Sequence, residues 1–131
     1  MGQTFMELDG VKYYVLSENE VRDYVISVAK EEWETEDFDL YGDDLYKSKW
    51  KLEEIEVDKI TMRADLLASN EFLKDVSPRI EKQLEIIPTG INIPPLILRG
   101  SDLLLFDGYA RTNALKKLEK KKCLAYVGHR A

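Results

Sequence analysis

The chain has 131 residues, 44% of them hydrophobic, and carries 25 acids against 19 bases for a net charge of −6. That is enough for one globular domain with a real core, and the wrong overall sign for a domain that grips DNA through its phosphates. No apolar run approaches the ~20 residues of a membrane span, the start lacks the basic and apolar regions of a signal peptide, and the single Cys123 excludes an internal disulfide and a cysteine zinc site.

Residues 4–16 alternate around Asp9-Gly10, with Phe5, Met6 and Leu8 before the turn and Val11, Tyr13, Tyr14 and Val15 after it. This is a β-hairpin signal. Ser17 and Glu20 then have capping-box spacing, and Val21, Tyr24, Val25, Val28 and Ala29 recur at helical steps, so a helix is expected to run to about Trp33. Residues 31–44 hold eight acids and no base. Asp37, Asp39 and Gly42 imitate the opening of a calcium loop, but Ser48 stands where the bidentate glutamate belongs, so an EF-hand is rejected. The segment reads as a solvated, mobile, acidic connector. Its interleaved Phe38, Leu40, Tyr41, Leu45 and Tyr46 also suit a docking strip for a basic protein.

From Trp50 onward the chain is more legible. Leu52 to Ile60 reads as a strand and its flanking turn, and residues 65–87 as two helices divided at Ser77-Pro78. Ile91 to Leu98 and Leu103 to Phe106 form a hairpin, a helix covers 109–121, and Cys123 to Val127 is a last strand. Cys123 therefore reads as a buried structural thiol, and a cytoplasmic location is expected. The late lysines, Lys116, Lys117 and Lys120 to Lys122, read as the solvated end of that helix, where they complement its dipole. The order implies an α+β fold, with helices on a small mixed sheet.

The richest segment is Phe106-Asp-Gly-Tyr-Ala-Arg-Thr-Asn113. A strand entering a helix through glycine leaves free backbone N–H groups and the positive dipole end facing outward, an anion site. Arg111 adds a fork of donors suited to phosphate. Alternatives stay open for each residue. Asp107 either caps the helix or holds Mg²⁺, Arg111 either meets a phosphate or pairs with a surface acid, and Tyr109 either packs in the core or stacks on a base. Arg63 either reaches the phosphates or pairs with the acidic segment, and Asp65 is either a surface acid or a base.

Taken with Leu52 to Ile60, Ile93-Pro-Pro-Leu-Ile-Leu98, Ala114, Leu115 and the closing strand, this turn resembles the ParB N-terminal/sulfiredoxin-like superfamily over about 80 residues. The resemblance divides the chain into an N-terminal hairpin–helix extension with its acidic connector at 1–49 and a ParB/sulfiredoxin-like domain at 50–131. It implies a bound nucleotide (ATP, ADP or CTP), with Gly108, Tyr109, Ala110, Arg111, Thr112, Asn113 and Arg63 as its contacts. Tyr109 stands where sulfiredoxins carry their catalytic cysteine, which excludes peroxiredoxin repair. Tyr109-Ala110 replaces the acid and first arginine of the CTP-binding turn of chromosome-partition ParB proteins. The Asp-Gly-x-x-Arg form is most similar to archaeal ParB-like free-serine kinases, with Tyr109 and Ala110 in place of their two histidines. By that likeness Asp107 and Asp65 are the candidate catalytic residues, and Asp107 the ligand of Mg²⁺.

Two function classes follow. One is a nucleotide-binding domain with NTPase or small-molecule kinase chemistry. The other is a catalytically inactive protein-interaction or regulatory module that works through the acidic, aromatic segment 31–46. Direct DNA partition disagrees with the charge, and a nuclease lacks a paired-carboxylate or histidine metal site in the sequence.

Overall fold

A computed structural model describes residues 3–130. β1 (Gln3–Leu8) and β2 (Val11–Leu16) pair antiparallel, with Leu8 opposite Val11. Asp9 and Gly10 carry the two positive φ angles, 53° and 76°, that the tight primed hairpin turn requires. The Asp9 carboxylate accepts from the Lys121 N–H at 2.6 Å, which pins the hairpin tip to the far end of the sequence. Val11, Tyr13 and Val15 alternate into the core, and Tyr13 bridges to Ile93.

α1 (Glu18–Glu32) buries Val21, Val25 and Ala29 and ends at Trp33, as the periodicity predicts. The expected capping box at its start does not form. Ser17 spends its hydroxyl on the Glu20 carboxylate, 2.6 Å away, and caps no backbone N–H.

The acidic connector is in fact a helix, α2 (Thr35–Lys47). A reciprocal capping box between Glu34 and Asp37 starts it, acids occupy its first turn, and Lys47 lies in its last. Phe38, Tyr41 and Leu45 recur at three- and four-residue steps and turn inward, with Leu45 fully buried. Acids at nearly every other position hid that period.

β3 (Lys49–Glu56) leads through a 3₁₀ turn to the short α3 (Ala64–Leu67) and the long α4 (Asn70–Ile86). The division between helices falls at Ala68-Ser69, where Ser69 accepts the Phe72 N–H, and not at Ser77-Pro78. Pro78 lies on an exposed face of α4, so the carbonyl it leaves without a donor belongs to solvent-facing Lys74.

β4 (Leu96–Arg99), β5 (Leu105–Asp107), α5 (Tyr109–Lys117) and β6 (Lys122–His129) complete the fold, with α5 ending four residues earlier than expected. The four-stranded sheet has the order β3-β6-β4-β5. β6 runs antiparallel to β3 and parallel to β4, and β4 runs antiparallel to β5. β6, at the centre, is buried from Cys123 to Gly128. Among the described residues the fold is therefore α+β, with a mixed sheet, a separate hairpin and five α-helices. Among the described residues no helix is long and apolar enough to cross a membrane.

Candidate functional site

Five pieces of chain surround one cleft of about 640 Å³: the C-terminal end of α1, the first turn of α2, the start of α3 with Arg63 and Leu66, one face of α4, and the β5–α5 turn. The volume is within the usual range for small-molecule sites.

The turn is built on Gly108, the N-cap of α5, at φ 109°. A Cβ there would lie 2.5 Å from Leu96 Cδ2 and 3.0 Å from Arg111 Nη2, so both the conformation and the space demand glycine. No side chain caps α5, which leaves its first N–H groups to a ligand or solvent. Asp107 is not the cap. Its Oδ2 accepts from Arg111 Nη2 at 3.1 Å, one turn along.

Arg111 is largely buried, with 14% of its side chain exposed, and its Nε has no hydrogen-bond partner among the described residues. Gln83 Oε1, on the α4 wall of the same cleft, is likewise buried and unpartnered. A buried donor and a buried acceptor at one cleft are each costly without a partner. Tyr109 lines the cleft and packs edge-on against Phe72 of α4, ring centres 4.9 Å apart. Thr112 is buried and donates to the Gly108 carbonyl, and the Asn113 amide donates to the Tyr109 carbonyl. Both polar groups are committed to their own helix.

Arg63 reaches the cleft because Thr61 pairs beside β5, exchanging backbone hydrogen bonds with Leu103 and Leu105. Its side chain is 8% exposed, and it binds two carboxylates. Asp65 takes Nε and Nη2 at 3.1 and 2.7 Å, and Asp37 of α2 takes Nη2 at 2.7 Å. The hydrogen bonds from Arg63 hold the Asp65 carboxyl below its usual range. Asp65 is mostly exposed and meets the cleft only through Arg63.

The structure thus gathers Asp107, Gly108, Tyr109, Ala110, Arg111 and Arg63 at one cavity, and leaves Asp65, Thr112 and Asn113 off its wall. Sequence reasoning missed the opposite wall, Phe72, Arg79, Lys82 and Gln83 of α4, and Trp33 after α1. Asp75, Arg79 and Lys82 at helical spacing were the available signal. Among the described residues, no group of three or more histidines, cysteines or acids is arranged to hold a metal ion. The site suits Mg²⁺ only as phosphate-bound Mg²⁺, with Asp107 as the one carboxylate at the turn.

No protein-family model matches the chain, and no curated protein matches it. Solved structures similar to it include two ParB N-domains. One is a Pnob8-like ParB-N domain, 25% identical, covering 63% of this chain and 31% of that one at a TM-score of 0.43. The other is a pNOB8-like ParB N-domain, 24% identical, covering 60% of this chain and 27% of that one at 0.39. The chain spans less than a third of the length of either.

Proposed function

We propose that the cleft binds a nucleotide, ATP, ADP or CTP, with its phosphates on the Asp107-Gly108 turn and the first turn of α5. The observation that carries this reading is the uncapped N-terminus of α5 beside a buried Arg111 whose Nε lacks a partner. An anion seated there meets backbone N–H groups, the positive helix end and a guanidinium together. Tyr109 and Phe72 offer aromatic surface on which a base can lie. The chemistry such a site can support is phosphoryl transfer, as an NTPase or a small-molecule kinase. Asp107 would hold Mg²⁺, and the metal's contribution would be to neutralise phosphate charge. Residues 50–131 form the nucleotide-binding unit in this reading, residues 1–49 its extension, and the cytoplasm its compartment.

Calorimetric titration with ADP, ATP and CTP, each with Mg²⁺, tests the proposal. Micromolar binding to at least one is expected, and Arg111→Ala should abolish it. Binding that survives Arg111→Ala, or no binding by the folded protein, removes the reading.

A second reading, an inactive interaction module, rests on Leu40 and Tyr46. They stand exposed on α2, 68% and 42% accessible, on the acidic segment 31–46. A basic protein partner lost with Leu40→Asp/Tyr46→Ala, alongside absent nucleotide binding, would favour it.

A further inference from the structure

α2 is tied down at both ends by carboxylates on arginines. Near its start, Asp37 Oδ1 accepts from Arg63 Nη2, while its Oδ2 accepts the Glu34 N–H at 3.0 Å. Near its end, Asp44 accepts from Arg99 Nη1 at 3.1 Å and from Arg130 Nη1 at 2.9 Å. Tyr41 lies between, its ring centre 5.2 Å from the Arg63 guanidinium carbon and 5.4 Å from that of Arg99. These ion pairs add to the apolar attachment of the helix through Phe38, Tyr41 and Leu45.

Arg63 is also a cleft residue, and its Nε and Nη2 donors are taken up by the two carboxylates. Two carboxylates on one guanidinium leave a net negative charge where a phosphate would arrive. An anion can take the Nη2 corner of Arg63 only by displacing one of them. Asp65 is bidentate and comes from two residues away, outside the cleft wall. Asp37 holds by one oxygen, lines the cleft, and belongs to a different element.

Building on the nucleotide reading above, the geometry points to α2 as a self-occluding strap. The Asp37 carboxylate occupies the place of a ligand phosphate on Arg63, and an anion that displaces it releases the first turn of α2. The strap lowers the affinity of the resting cleft for anions and couples binding to movement of the acidic helix. Glu31 and Glu32 at the end of α1, and Glu34 at the start of α2, also line the cleft and add to the repulsion.

The test uses the full chain and inorganic pyrophosphate without metal. Asp37→Asn removes the charge but keeps an acceptor for the Glu34 N–H. It is expected to bind pyrophosphate at least about tenfold more tightly than the parent, the scale of one hydrogen bond to a charged group. Adding Arg63→Ala should erase that gain. Hydrogen exchange of the Thr35 to Phe38 amides should quicken in the parent when pyrophosphate is added. An Asp37→Asn protein that melts cooperatively yet binds no tighter than the parent would overturn the proposal. Asp37→Ser, which also keeps an acceptor, replaces it if the first variant does not fold. Tighter pyrophosphate binding by Asp37→Asn with no nucleotide binding by any variant keeps the strap and removes the nucleotide reading. Arg111-dependent nucleotide binding with no gain in Asp37→Asn does the reverse.

Discussion

Arg111 reaches back one turn of α5 to Asp107, its Nη2 3.1 Å from Oδ2, while its Nε stays buried without a partner. The guanidinium is held in position by one edge and unsatisfied at another.

Asp107→Asn separates the ion pair with Arg111 from the Mg²⁺ role proposed for that carboxylate. Removing the charge frees Arg111, so metal-free nucleotide affinity should rise by about two- to fivefold, the scale of a partly exposed ion pair. The same change should remove the Mg²⁺ dependence of binding. Calorimetry with and without Mg²⁺ reads both effects, and an unchanged metal dependence would relieve Asp107 of its metal role.

Gly108→Ala should destabilise the protein by about 1–3 kcal/mol, the usual cost of a side chain at a positive φ. The contact of the new Cβ with buried Leu96 pushes toward the upper end. The midpoint of urea unfolding measures this. A neutral outcome would mean that the turn can relax to a negative φ.

The two helix-start serines should behave differently. Ser69 accepts the Phe72 N–H, so Ser69→Ala should cost about 1 kcal/mol. Ser17 has the better sequence signature but caps nothing, so Ser17→Ala should cost less than half of that. Equal losses would restore the capping box to α1.

Acid should loosen the arginine clasps. Hydrogen bonds from Arg63 hold Asp65 below the usual carboxylate range, and those from Arg99 do the same for Asp102. Their contribution is complete above the unfolded-state pKa, about 3.9 for aspartate, and is lost as pH falls through the lower folded value. The melting temperature should therefore be flat from about pH 7 to pH 5 and drop below about pH 4. Arg99→Ala should make that drop shallower. A stability maximum in acid would contradict the assignment.

What could be read before the structure was local. Asp9-Gly10 between alternating residues, and Gly108 between a strand and a helix, are dipeptides whose backbone demands are written in their own side chains. α2 was not legible because its acids fall on the inward and outward faces alike, masking the Phe38, Tyr41 and Leu45 steps. Pro78 misled because the carbonyl it orphans, that of Lys74, belongs to a solvent-facing residue, and α4 runs on through the proline. The cleft was half legible. Its floor is the Asp107 to Arg111 turn, but its roof is α4, which approaches through tertiary packing that spacing does not reveal. Arg63 carried two readings, and the pairing with Asp37 of the acidic segment is the one observed.

The place of β6 between β3 and β4 has a consequence for how the chain acquires its shape. β3 has β6 as its partner, and the β4–β5 hairpin joins β3 only through it. The tip of the first hairpin is fastened to the residues just ahead of the same strand. A chain emerging N-terminus first therefore accumulates helices and loose hairpins but no continuous sheet, until its final strand slots into the middle. Such long-range closure predicts slow folding for a protein of this size. It also makes β6 the segment whose loss would leave the exposed edges of two neighbours open to other chains.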